Sequence, residues 1–185
     1  IILGLLPLWN GAIYVAGFAV IGSMVLFFRN RIETLCLLIV SAVTAVPQIL
    51  FLRSGTSRGV TELFRWGYVV EPATIWNVAE YFSFTFGVKL VLALIATALL
   101  TALHRKLFLA ISSLVVLTFC TQLSTDIMNN HKFMNVWLIL INAYATYTIV
   151  RLTKVKYAGK MLAAAILIFI SVGGVIELFR IHNIN

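Results

Sequence analysis

The stretch 124–132, which reads STDIMNNHK, places Asp126, Asn129, Asn130, His131 and Lys132 within seven residues, immediately ahead of an apolar run that carries Asn135, Trp137 and Asn142. A helix beginning there would aim free backbone N–H groups and partial positive charge at whatever lies beyond its end, which favours an anion. Lys132 would add a mobile point charge. An equally weighted reading makes this a capping loop, with Asn130 as N-cap and Lys132 reaching along the helix to the interface. A second polar stretch, 53–79, holds Arg53, Arg58 and Arg65 among two acids and several aromatics. Guanidinium groups bind phosphate in bidentate fashion, so these three are candidates for a phosphate or pyrophosphate cradle. Composition alone favours plain solvated or lipid-facing arginines. Lys89 is different again: it sits ten residues into an apolar run, too deep to disregard. It either snorkels or faces a cavity where it meets a phosphate or a carboxylate.

The elements that must position these residues follow from composition. Of 185 residues, 62% are hydrophobic and 11% charged, and the mean hydropathy is +1.04. Soluble domains carry about 25% charged residues. The apolar residues also fall in blocks that match the roughly 20 helical residues needed to cross a bilayer core. They lack strand alternation, so the expected fold is all-α: a polytopic transmembrane helical bundle of about six spans, near 11–28, 33–52, 80–103, 107–123, 134–150 and 161–179. The opening IILGLLPLWN, broken near Pro7, reads as the tail of an earlier apolar segment. It lacks the basic start of a signal peptide, and the chain reads as the C-terminal part of a longer one.

Charge assigns sides. Arg29, Arg31, Arg105, Lys106, Arg151, Lys154, Lys156 and Lys160 fall in the first, third and fifth connections, and short basic loops face the cytoplasm. Segments 53–79 and 124–132 and the C-terminus then share the opposite face, together with Glu62, Glu71, Glu80, Asp126 and Glu177. Trp66, Tyr68 and Trp76 suit a head-group interface. The net charge of +8 is thus mostly anchoring charge near anionic lipid and not a nucleic-acid signal. Cys36 and Cys120 read as small hydrophobes. No CxxC, His-rich cluster or glycine-rich phosphate loop is present, and no cofactor is evident. Gln48 and Asn142 suit hydrogen bonds between helices, Tyr144, Thr146, Tyr147 and Thr148 suit internal packing and hydrogen bonding, Pro47 suits a kink, and Glu177 with Arg180 suits a local ion pair.

The order Pro47-Gln48, an outer loop with Arg65-Trp66, an aromatic entry at Tyr81, Phe82, Phe84, Phe86 and Gly87, and then Asn129-Asn130-His131-Lys132-Phe133 opening a later span resembles the C-terminal transmembrane half of bacterial GT-C glycosyltransferases. These are multi-spanning enzymes related to protein mannosyltransferases and lipid A aminoarabinose transferases. The similarity covers roughly 45–180 and is closer to members with a Trp-Asp-Asn-x-Lys signature before a late span. Asn130 and Lys132 match that signature, whereas Met128 stands in place of its Trp and Asn129 in place of its Asp. The missing carboxylate removes an acid/base or metal role from that position and leaves a binding role intact.

The resemblance implies transfer of a sugar from a polyprenyl-phosphate donor on the non-cytoplasmic face of a bacterial inner membrane, by an inverting mechanism. Its catalytic carboxylate would lie in an outer loop outside this sequence, so neither Glu62, Glu71 nor Asp126 is assigned that part, and a divalent metal stays open for a full-length protein. Arg53, Arg58, Arg65, Lys89, Asn129, Asn130, His131 and Lys132 are the expected donor-phosphate residues. Two other classes remain beside it. One is a transporter or flippase half for an anionic or lipid-linked substrate, suggested by Pro7, Pro47 and Lys89. The other is a non-catalytic membrane scaffold subunit. An inverted repeat would mark the transporter, and an acidic outer loop upstream would mark the enzyme.

Overall fold

The structure is a computed structural model of the chain. It describes residues 2–53, 63–123 and 127–182, with the side chains of 53, 127–129 and 173–182 outside the description. Arg58, Glu62 and Asp126 therefore lie outside the described residues, as do the side chains of Arg53, Asn129, Glu177 and Arg180.

Among the described residues the regular elements are all helices, beside one isolated antiparallel bridge. A short α1 (Ile2–Leu5) passes through a 3-10 turn at Leu6–Leu8 and is followed by α2 (Gly11–Phe27), α3 (Arg31–Arg53), α4 (Ile75–Leu99), α5 (Ala102–Cys120), α6 (Ile127–Thr153) and α7 (Tyr157–His182). The break expected at Pro7 is present, because Asn10 restarts the chain as an N-cap: its Oδ1 accepts from the N–H of Ala12 and Ile13 at 3.1 and 3.2 Å. Thr74 starts α4 in the same way through the N–H of Asn77.

Four helices are long and apolar enough to cross a membrane: Arg31–Leu52, Ile75–Leu99, Ala102–Cys120 and Asn130–Thr153. Gly11–Phe27 and Tyr157–Val172 are apolar but shorter. Helices suit such a sequence because each satisfies its own backbone in a medium without water.

The helix bounds differ from those read off hydropathy, for local reasons. α4 and α5 part at Leu100 and Thr101, whose extended backbone breaks the helix before the basic residues. His104, Arg105 and Lys106, expected in the turn, therefore lie in the first turns of α5. There the Arg105 guanidinium donates to the carbonyls of Ala98 and Leu100 that end α4. α6 begins at Ile127, so Asn130 is inside the helix and not at its N-cap. α3 runs through Pro47 as one helix. The non-helical residue within a span is instead Gly87 in α4, at φ 47° and ψ −133°.

α4 packs on α6, α2 on α5, and α6 bridges to both α5 and α7. Phe86, Leu114, Phe119, Met134, Trp137 and Ile141 form the centre of the main core. A smaller cluster of Leu92, Ala145, Ile149 and Ala163 joins α4, α6 and α7. Side-chain hydroxyls and amides tie neighbouring helices together, as they do where lipid gives no hydrophobic drive. Thr148 Oγ1 donates to Leu92 O at 2.8 Å and Tyr144 OH to His104 O at 2.8 Å. Gln48 Nε2 donates to Gly4 O at 3.0 Å, and Ser23 Oγ to Ala110 O at 2.8 Å. Asn142 faces outward.

Residues 63–74 fold back over the end of the bundle. Gly67 makes this possible with φ 72°, a conformation that costs an L side chain about 1–2 kcal/mol. A Cβ there would also collide with the side chain of Ala73. Gly67→Ala is expected to lower stability by at least about 1–2 kcal/mol, read as a fall in the thermal midpoint in detergent. An unchanged midpoint would contradict the packing described.

Candidate functional site

The polar residues gather where α5 ends. A helix leaves its last four carbonyls unpaired, and here those of Thr118, Phe119, Cys120 and the C-cap Thr121 each find a donor, beyond the helix's own last bond to Leu117. Leu117 O accepts from the N–H and the hydroxyl of Thr121, at 3.1 and 2.6 Å. Phe119 O accepts from Gly67 N–H at 2.7 Å, and Cys120 O from Arg65 N–H at 3.1 Å. Thr118 O accepts from the Asn130 amide at 3.3 Å. The chain returns the favour through Gln122 N–H, which donates to Leu63 O at 2.8 Å around the Phe64–Thr121 bridge.

Residues 63–67 and 119–122 are therefore neighbours at one end of the bundle, and Asn130 joins them from α6. The opposite end holds the basic turns. Arg29, Asn30, Glu33 and Lys106 line one cleft of about 620 Å³ between the α2–α3 and α4–α5 turns. Arg151 and Lys154 of the α6–α7 turn lie beside Ile95 and Leu99 in the last turns of α4.

Asn130 is fully buried, with 0% exposure. Besides Thr118 O, its Nδ2 donates to Thr121 O at 2.5 Å, and its Oδ1 accepts from Leu123 N–H at 3.2 Å. Its amide thus pins the α5–α6 connection and has no face toward a ligand. It positions the two residues that follow.

His131 is half-buried, its Nδ1 3.1 Å from Tyr81 OH. Tyr81 in turn lies edge-on to Phe119 and Phe86, at centroid distances of 5.8 and 6.4 Å. Phe86 meets Trp137 at 4.7 Å. Lys132 follows at the exposed surface. These aromatics hold the start of α6 against α4, which fixes where His131 and Lys132 stand. The Tyr81 contact left no trace in sequence spacing, since the two residues are fifty positions apart.

Arg65 pairs with Glu71 and lies over the Tyr68 ring, 5.5 Å from its centroid. Tyr68 is buried under this pair, whereas Trp66 and Trp76 are exposed as expected of interfacial residues. An exposed ion pair of this kind is worth about 0–1 kcal/mol, so a phosphate can take the place of Glu71 at small cost. Arg65, His131 and Lys132 are thus brought to one end of the bundle. Lys89 is not: it lies eight residues beyond Tyr81 along α4, about 12 Å further into the span. Among the described residues no group of three or more His, Cys, Asp or Glu is placed to hold a metal ion.

Truncating Asn130 strands two buried carbonyls and one N–H. Asn130→Ala is expected to cost about 1–3 kcal/mol, and Asn130→Asp more, because its carboxylate would face two carbonyl oxygens. Unfolding midpoints in detergent for both variants measure this. Wild-type stability in Asn130→Asp would refute the clamp. Comparison of the chain with family models, curated proteins and solved structures finds no match.

Proposed function

We propose that the chain is the membrane part of a GT-C-type glycosyltransferase that crosses the bilayer six times and takes its sugar from a polyprenyl-phosphate donor on the non-cytoplasmic face. The observation that carries this reading is the placement of Arg65, His131 and Lys132 at the same end of the bundle, opposite the basic turns. With the basic turns in the cytoplasm, that end faces outward, and α2 and α7 complete the six spans. A polyprenyl donor keeps its tail in hydrocarbon and its phosphate at head-group depth. Cations at the outer helix ends reach that phosphate without crossing the core.

The parts then divide by chemistry. Lys132 supplies a point charge and Arg65 a planar fork of donors for the phosphate. His131, held by Tyr81, presents its other ring nitrogen to the same region. Asn130 is a positioning residue, and this is the role that the Asn130-x-Lys132 signature takes in the reading. Arg53, Arg58 and Asn129 remain assigned to the same phosphate by sequence alone. The sugar-transferring carboxylate is not assigned to any residue of this chain.

Titrating a synthetic polyprenyl-phosphate sugar into the full chain in lipid nanodiscs tests the reading. Lys132→Ala and Arg65→Ala are each expected to weaken binding about tenfold, the loss of one charge-assisted hydrogen bond. Added salt is expected to weaken the wild type as well. Unchanged affinity in both variants would refute the donor-phosphate site.

A further inference from the structure

The basic end of the bundle holds an open cleft of about 620 Å³ between the end of α2, the start of α3 and the start of α5. Arg29, Glu33 and Lys106 supply its charge, and Phe28, Leu37 and Leu103 are among its apolar lining. The side chains of Arg29, Glu33 and Lys106 make no hydrogen bond or ion pair among the described residues. Glu33 thus lines the cleft with two cations and pairs with neither. Arg105, beside Lys106, shows the contrast, because its guanidinium is taken up by the carbonyls of Ala98 and Leu100. The start of α5 is open as well. Its N-cap, Thr101, gives the helix no side-chain bond and meets His104 Nδ1 at 2.8 Å instead. The first N–H groups of α5 keep their partial positive charge beside Ala102 and Leu103, which line the cleft.

Location selects the ligand. The cleft lies where Arg31–Leu52 and Ala102–Cys120 begin, two of the helices long and apolar enough to cross a membrane. In a bilayer that is head-group depth. Leu37 and Leu103 are exposed, so lipid chains can lie against them while the cations meet a phosphate. Arginine binds a phosphodiester through paired N–H donors and lysine through a point charge. Basic pockets between spanning helices hold lipid head groups in this way. Two cations against one carboxylate leave one positive charge, which matches a head group with one negative charge. The Glu33 carboxylate only accepts hydrogen bonds, so it suits a head group that carries hydroxyls.

We infer that this cleft binds one anionic phospholipid of the phosphatidylglycerol kind, with its phosphodiester on Arg29 and Lys106. Its glycerol hydroxyls donate to Glu33, and its acyl chains run past Leu37 and Leu103 into the bilayer. The inference requires that α3 and α5 cross the membrane. It does not rest on the sugar-donor site, which lies at the other end of the bundle. Loss of sugar-donor binding would leave it standing.

Native mass spectrometry of the full chain in detergent, titrated with one lipid at a time, gives the affinity of the first lipid bound. Phosphatidylglycerol is expected to bind roughly tenfold more tightly than phosphatidylcholine, and Arg29→Gln or Lys106→Gln to remove most of that preference. Lys156→Gln removes a cation of the α6–α7 turn outside the cleft and is expected to keep it. Phosphatidylmethanol, with the same charge and no hydroxyls, is expected to bind the wild type more weakly than phosphatidylglycerol and Glu33→Ala equally well. All four substituted side chains are exposed, and retained helical circular dichroism verifies that the variants fold. Equal binding of phosphatidylglycerol and phosphatidylcholine would overturn the inference. So would a preference that survives both Arg29→Gln and Lys106→Gln, or one that falls as far in Lys156→Gln. Equal binding of phosphatidylmethanol and phosphatidylglycerol to the wild type would overturn the part given to Glu33. Soluble glycerol phosphate binding as tightly as phosphatidylglycerol would overturn the lipid assignment, by making the cleft a site for a free phosphate ester.

Discussion

Four carbonyls at the end of α5 set the terms for everything around them. A backbone carbonyl buried without a partner costs free energy comparable to a lost hydrogen bond, and each of these has a donor from the protein. Thr118, Phe119, Cys120 and Thr121 draw their donors from two remote segments. Residues 63–67 arrive from before α4, and Asn130 from within α6. One helix end thereby brings together two stretches that are far apart in the chain, and any candidate ligand surface at this end is built on that junction.

The junction also explains which polar residues are available for chemistry. Asn130 is consumed by the structure, its amide shared among Thr118, Thr121 and Leu123. His131 and Lys132, on the next positions of the same helix, inherit their placement from it and from the Tyr81–Phe119–Phe86–Trp137 stack. Arg65 reaches the same end because its own N–H caps Cys120. Backbone satisfaction and side-chain presentation are thus two consequences of the same hydrogen bonds. Residues 63–67 and 119–122 meet through these bonds, and the expectation that 53–79 and 124–132 share one side of a membrane belongs to the proposed reading.

The sequence was most legible where a single physical effect dominates. Apolar blocks without alternation predicted helices, and each expected span has a helix over it. Pro7 marked a break because its missing N–H acts locally, and the structure adds Asn10 as the cap that restarts the helix. Gln48, Tyr144 and Thr148 bond between helices, as buried polar groups in apolar spans must. Legibility failed where the deciding partner is remote or the signal ambiguous. His104, Arg105 and Lys106 look like a turn by charge, yet Arg105 stays helical and turns back to cap α4. Asn130 suits an N-cap by type, and only the fold reveals the carbonyls it serves. The break in α4 falls at Gly87, whose permissive backbone gives little warning in sequence, whereas Pro47 lies within the continuous α3. The ring contacts of Tyr81 were out of reach of any spacing argument.

Residues 63–67, His131 and Lys132 lie at one end of the bundle, away from the basic turns. Single cysteines at Trp66, Lys132 and Lys106, in a chain with Cys36 and Cys120 replaced by Ala, map it directly through a membrane-impermeant thiol reagent applied to intact cells. The account predicts that Trp66→Cys and Lys132→Cys label from outside, whereas Lys106→Cys labels only after the membrane is opened. Labelling of Trp66→Cys and Lys132→Cys from opposite sides, or of Lys106→Cys from the same side as both, would contradict it.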